Sequence, residues 1–352
     1  MTPAELSHTV LRAVRRAVDD GELDPAAVEP GAGRIVVERA RPGGRGDYAT
    51  NVALQVAGPA GRPPRQVAET LRPYLEDTDG VADVVVTGPG FLNFSLRAFA
   101  PGPLAAQILR DGSRYGFAAG PTGQVVQLHA PHEVRAVVVM DAAARILRSQ
   151  GALVRTSCAA RTEAAWTRIL GAEVDAAGTP EAPAPLAVNV RPVPAPADPV
   201  PLGRDAARWA LLHPAAHDRP RIDDAHLAQR ESNPLFRVRY AHARTRALTR
   251  NAADLGFTAE PGDVTGEGDL LAALAEHPRV LQSAARHRAP DRLARHLVTV
   301  ADTLLPALAT VLPLGAEKPE AAHRARLALA EAAGTVLAGG LTLLGIDAPE
   351  HL

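Results

Sequence analysis

From about residue 205 onward, apolar residues recur every three to four positions through long segments such as DRLARHLVTVADTLLPALATVL and EAAHRARLALAEAAGTVLAGGLTLLG. That period gathers the apolar side chains on one stripe of a helix, and such stripes are buried by packing helix on helix. Residues 205–352 are therefore predicted to form an α-helical bundle, with EHP, RAP and GAEKP as the breaks between helices. TLLPALATVLPL (Thr303 to Leu314) reads as a long helix with Pro306 inside it.

The two stretches upstream have different textures. Residues 102–204 alternate strand and helix: GQVVQL, a helix from Val134 to Gln150, ALVRTS, a short helix from Glu163 to Leu170, then LAVNVRP. That alternation predicts a piece of parallel sheet. AAGTPEAPAP and VPAPADPVP interrupt it and read as a truncated loop and a linker, because such Pro-rich runs support neither a helix nor a central strand. Residues 1–101 predict a small α/β domain: a leading helix, the strand RIVVERA, two helices, and VADVVVTGPGFLNFSL as two strands about a Gly-Pro-Gly turn. The fold class is thus multidomain, α/β followed by all-α.

Composition narrows the function. The 38 basic residues balance 39 acidic ones, for a net charge of -1, which argues against a general nucleic-acid coat protein but leaves room for a local basic face. Cys158 is the single cysteine, so no internal disulfide or multi-cysteine zinc site is expected. No apolar run of membrane-spanning length stands out, and the first residues read as an amphipathic helix and not as a signal peptide. A cytoplasmic location without a membrane partner is the expectation.

Two motifs of the first domain, GRGDYATNVALQVAG (Gly44 to Gly58) and GPGFLNFSL (Gly88 to Leu96), resemble the N-terminal additional domain of arginyl-tRNA synthetases. The stretch LGRDAARWALLHPAAHDRPRIDDAHLAQRESNPLFRVRYAHAR is similar to that family's approach to its anticodon-binding domain, and LLGIDAPEHL is similar to its usual ending. The resemblance covers both flanks in order. It implies an additional domain over residues 1–101, a catalytic domain of Rossmann type between, and an anticodon-binding bundle over residues 205–352.

The middle departs from the pattern. The family's ATP signature, His-x-Gly-His before a helix, falls here on His129-Ala130-Pro131-His132. Pro131 replaces the glycine that lets a nucleotide approach the backbone, and it has no N–H to donate. The Asn-Pro-Thr-Gly-Pro loop is missing, and Glu133 puts a carboxylate beside the expected phosphate site. A doubly wound nucleotide fold needs two βαβαβ halves, and about 100 residues supply one. The lysine-bearing loop that would steady pyrophosphate is also missing: VRPVPAPADPVPL contains no lysine, and Lys318 is the only one in the chain. Residues 102–204 are thus expected to be a shortened Rossmann-like remnant with a degenerate signature at His129, Pro131 and His132, no catalytic residue and no cofactor. A metal site joining His129 and His132 with Asp141 or another histidine is a weaker reading than two histidines at a helix start, and Cys158 reads as an inert buried thiol.

For RNA, the resemblance implies that the first domain meets the tRNA elbow and the bundle meets the anticodon arm. Tyr48, Asn51, Asn93 and Phe94 are the candidate contacts in the first, with Phe91 and Phe94 divided between core and contact by strand alternation. Arg237, Arg239, Tyr240, Arg244, Arg246 and Arg250 crowd one helix of the bundle, and Arg292 and Arg295 belong to a second basic cluster. Arginines on phosphates and rings on splayed bases are the means by which tRNA-like shapes are held. The expected activity is binding of tRNA, or of a tRNA-like RNA, without charging it. The alternatives are an active arginine–tRNA ligase with unusual residues or a partner subunit, and a protein-interaction scaffold that has lost RNA binding.

Overall fold

A computed structural model describes residues 3–28, 37–40, 45–96, 101–178 and 188–352. The chain divides into two compact units, Met1–Phe99 and Ala100–Leu352. Most of the Pro-rich stretch AAGTPEAPAP and the first half of RIVVERA lie outside the described residues.

In the first unit, helix α1 (Pro3–Asp19) turns Leu6, Val10, Val14 and Ala17 inward. Strand β1 (Val37–Arg39) follows, then β2 (Tyr48–Thr50), α2 (Val52–Ala57), α3 (Pro64–Glu76), β3 (Val81–Thr87) and β4 (Phe91–Leu96). The sheet runs β1-β2-β4-β3 and every pairing is antiparallel. Two glycines of the matched motifs explain themselves by close approach. A Cβ on Gly46 (φ +76°) would lie 2.5 Å from the Phe94 carbonyl oxygen, and one on Gly90 (φ +138°) 2.7 Å from the Pro64 oxygen. Only glycine fits either place.

The second unit opens with α4 (Pro101–Asp111). It continues through β5 (Val125–Ala130), α5 (Val134–Ser149), β6 (Leu153–Cys158), α6 (Ala164–Arg168), β7 (Ala176–Ala177) and β8 (Val188–Asn189). The sheet order is β7-β6-β5-β8, all parallel, so the predicted Rossmann-like fragment is present, with two long strands among the described residues. Helix α5 is buried almost all round, which is why its sequence VRAVVVMDAAARIL lacks a polar face.

The remaining chain is helical: α7 (Gly203–Leu212), α8 (Pro234–Asp254), α9 (Gly268–His287), α10 (Pro290–Ala307) and α11 (Ala321–Leu344). Helix α8 starts where the Asn-Pro pair places it. Asn233 Oδ1 accepts the Leu235 N–H at 3.1 Å, its Nδ2 donates to the His226 and Ala228 carbonyls at 2.9 Å each, and Pro234 opens the helix.

Three expectations are corrected. EHP is not a break, because Pro278 sits inside α9. Proline cannot donate to the carbonyl four residues back, but the Tyr115 hydroxyl donates to that Leu274 oxygen at 3.2 Å and takes the missing bond's place. Thr303 to Leu314 is not one helix: α10 ends at Ala307, one residue after Pro306, and a 3₁₀ turn over Leu308–Thr310 follows. Finally, α11 does reach the length and apolarity of a membrane span, yet 72% of its most apolar window is buried inside the protein.

Candidate functional site

Strand β5 delivers His129 and Ala130 to the carboxyl edge of the sheet, and α5 begins four residues later. The first N–H groups of a helix and its dipole make this corner a ready anion site. Here the anion is internal. Glu133, in extended conformation, accepts the Arg135 N–H at 3.0 Å and the Ala136 N–H at 2.8 Å. The same carboxylate accepts the Ala195 N–H at 3.1 Å, which fixes the Pro-rich segment over the helix start. The Pro131 carbonyl accepts the Glu133 N–H at 2.8 Å and faces the Cys158 thiol at 3.6 Å.

The two histidines diverge. His129 Nδ1 meets the Ser157 hydroxyl at 2.9 Å, whereas His132 Nε2 donates to the Arg161 carbonyl at 3.1 Å and its ring lies 4.9 Å from that of Trp166. Asp141, the third residue of the metal reading, is committed elsewhere. Its Oδ2 meets buried Arg208 at 2.6 Å and Arg145 at 3.1 Å. Among the described residues no group of three or more His, Cys, Asp or Glu side chains is arranged to hold a metal ion.

Arg135 was not among the residues picked out from sequence, yet it organises this corner. Fully buried, it donates to five carbonyls: Leu211 (3.1 Å), Val193 (2.7 Å), Asp218 (2.7 Å), Pro214 (3.2 Å) and Ala215 (2.9 Å). Burial lowers its pKa, opposed by Glu133 and Asp218. The signal that could have found it is an arginine at the second position of a helix whose first two turns are otherwise apolar.

The candidate RNA contacts of the first unit divide by burial. Asn51 is exposed ahead of α2, where its Oδ1 accepts from Gln55 at 3.0 Å. Phe94 is fully buried and Tyr48 is 6% exposed, both in the core, so neither ring offers a stacking face. This corrects their assignment as contacts: the alternation of β4 turns Phe94 onto the helix layer, and Tyr48 pairs with it across the sheet. Asn93 is corrected as well. It is 7% exposed, and its amide donates to Thr87 Oγ1 (2.7 Å), Val85 (3.2 Å) and Phe91 (3.5 Å), stapling the Gly88–Gly90 turn. Phe91, 40% exposed, is the ring left at the surface.

On α8, Tyr240 is 38% exposed and stacks on Phe236 at 5.5 Å, with Arg237 three residues before it and Arg244 four after. Arg237 lies 3.4 Å from Asp302, and Arg244 is exposed. Arg239 pairs with Asp205 (3.3 Å), Arg246 with Glu350 (3.3 Å), and Arg250 donates to the Glu350 carbonyl (3.5 Å). Arg292 and Arg295 line a cleft of about 650 Å³ together with Arg279, Ser283 and the segment carrying His217 and Asp218. Arg292 donates to Ser283 Oγ at 2.7 Å, while Arg295 and Arg279 are held by Asp291 and Glu276.

Comparison with known proteins agrees at both ends. A family described as the arginyl tRNA synthetase N terminal domain matches residues 4–96, and the DALR anticodon binding domain matches residues 238–352. The arginine–tRNA ligase of Renibacterium salmoninarum is 28% identical over 552 aligned positions that cover all of both chains, positions that this 352-residue chain fills only in part. That of Kineococcus radiotolerans is 42% identical over 166 residues, covering 44% of this chain and 29% of its own. Among solved structures, the arginyl-tRNA synthetase of Thermus thermophilus superposes with a TM-score of 0.66 at 16% identity, covering 100% of both chains.

Proposed function

The chain belongs to the arginyl-tRNA synthetase family, and from that premise we propose that it binds tRNA, or an RNA of tRNA-like shape, without charging it. The observation that carries this reading is the Glu133 carboxylate on the N-terminus of α5. A nucleotide phosphate brought to that corner meets like charge instead of free N–H donors. Pro131 adds a ring where close approach is needed, and the following segment has no lysine. The residues present do not fit ATP, so no adenylation step is derived from them.

RNA binding is supported by the matched anticodon-binding region and by the basic, partly aromatic surface of α8 and α10. Arg237, Tyr240 and Arg244 on one face, with Arg292 beside its cleft, are the side chains we assign to phosphates and bases, and Asn51 and Phe91 those in the first unit. We also infer a division of the second unit near residue 204, into a shortened catalytic-domain remnant and the bundle, and a cytoplasmic location.

Two assays decide. Purified protein is titrated against total deacylated tRNA at several salt concentrations, and separately tested for arginine-dependent exchange of pyrophosphate into ATP. Saturable, salt-sensitive binding without exchange is the expected result. Exchange or charging would make it an active ligase, whether alone or with a partner subunit. Binding no better than that of an unrelated protein of equal charge would leave a protein-interaction scaffold.

A further inference from the structure

Helical spacing gives α8 two arginine stripes, and the protein treats them differently. Arg237 and Arg244 flank exposed Tyr240, whereas Arg239, Arg246 and Arg250 lie along another face. Every guanidinium of the second stripe is engaged by residues 347–352 or by the group that anchors them. Asp205 accepts the Asp347 N–H at 3.1 Å and pairs with Arg239 at 3.3 Å. The Pro349 carbonyl accepts from His242 Nδ1 at 2.9 Å. Glu350 reaches Arg246 at 3.3 Å through its carboxylate and Arg250 at 3.5 Å through its carbonyl, and His351 Nδ1 lies 3.3 Å from Arg250.

Resting on the tRNA-binding reading, we propose that residues 347–352 are an autoinhibitory strap that holds this stripe away from RNA until it lifts. Its chemistry matches what it displaces, because a carboxylate and backbone carbonyls occupy the donors that phosphate oxygens would use. Its attachment suits release. Ile346 is buried at 2%, which fixes the near end, but beyond it the chain has no regular structure. The Glu350 and Arg246 side chains are 60% and 44% exposed, and exposed ion pairs are weak. A polyanion releases counterions from several phosphates at once and outcompetes one carboxylate.

The test compares the full chain, a chain ending after Ile346 and the variant Glu350→Ala in salt-titrated binding to deacylated tRNA, with thermal melts to confirm folding. The expected result is roughly three- to tenfold tighter binding at low salt once the strap is gone, the size of a weak surface pair and a few hydrogen bonds. The slope of log K against log salt steepens by about one to two, since two more arginines reach phosphate. Glu350→Ala moves both in the same direction, and Arg246→Ala with Arg250→Ala in the trimmed chain cancels the gain. A full chain that binds tRNA while trimming and Glu350→Ala leave affinity and slope unchanged, or weaken them, overturns the strap and leaves the tRNA reading standing. Absence of binding in every form overturns both.

Discussion

Glu133 holds three backbone N–H groups, two from its own helix and one from Ala195. A lost helix cap costs about 1 kcal/mol, and the Ala195 bond adds roughly another. Glu133→Ala is therefore expected to lower unfolding free energy by about 2 kcal/mol in urea titrations, and a loss below about 0.5 kcal/mol would show that the cap contributes little. Arg135→Met should cost more, about 3 kcal/mol or above, because it strands several buried carbonyls at once. The two residues were not equally legible. Glu133 could be suspected from sequence because it directly follows the His129-Ala130-Pro131-His132 signature at a helix start. Arg135 could not be resolved further than an oddity, because its carbonyl partners come from positions 58 to 83 residues away. Phe94 and Asn93 show the same limit: alternation fixes that neighbours on a strand face opposite ways, but not which way is inward.

Between elements, the interface of α9 and α10 buries His277 and His296, whose rings lie 5.3 Å apart. Among the described residues His277 Nδ1 and His296 Nε2 have no hydrogen-bond partner. Burial, reinforced by His296, holds His277 well below the usual imidazole range, and burial with Arg279 lowers His296 to about 4. Both are neutral in the folded protein and protonate more readily when unfolded, near pH 6.5. Their stabilisation is complete above that pH and is lost as pH falls toward 4. A decline of up to about 1.4 kcal/mol per pH unit for each histidine is expected below pH 6.5. Half-buried His213 and buried His242 are lowered too and add to the slope. His296→Gln should flatten the pH dependence of the urea midpoint between pH 6.5 and 4.5, and an unchanged slope would exclude this residue as a contributor.

A second test at this scale concerns Pro278. Tyr115→Phe should cost about 1 kcal/mol by stranding the Leu274 carbonyl, but much less in a Pro278→Ala background, where the new N–H can reach that carbonyl. Equal costs in the two backgrounds would mean that the hydroxyl does not replace the helix bond. The sequence misplaced a helix break here because proline marks an end only when nothing from outside satisfies the carbonyl it abandons.

At the scale of the molecule, each compact unit has its own core, the first built from α1, α2, α3 and a four-stranded antiparallel sheet. Residues 1–99 expressed alone should therefore melt cooperatively, with an enthalpy near 60–80 kcal/mol as expected for about 100 residues. A broad, non-cooperative transition would show that this unit depends on the rest of the chain. The large plan was readable because it rests on period: helical spacing after residue 205, strand and helix before it. Membrane length was the exception, since a long window of α11 is apolar for burial within the bundle.

The Glu133 cap also couples access to stability. Freeing the N–H groups at the head of α5 for any other anion would first require its removal, and with it the bonds to Arg135, Ala136 and Ala195. Opening the corner is thus a step down in stability unless a bound anion offsets it. A single carboxylate in this place ties the openness of the corner to the stability of the helix it caps.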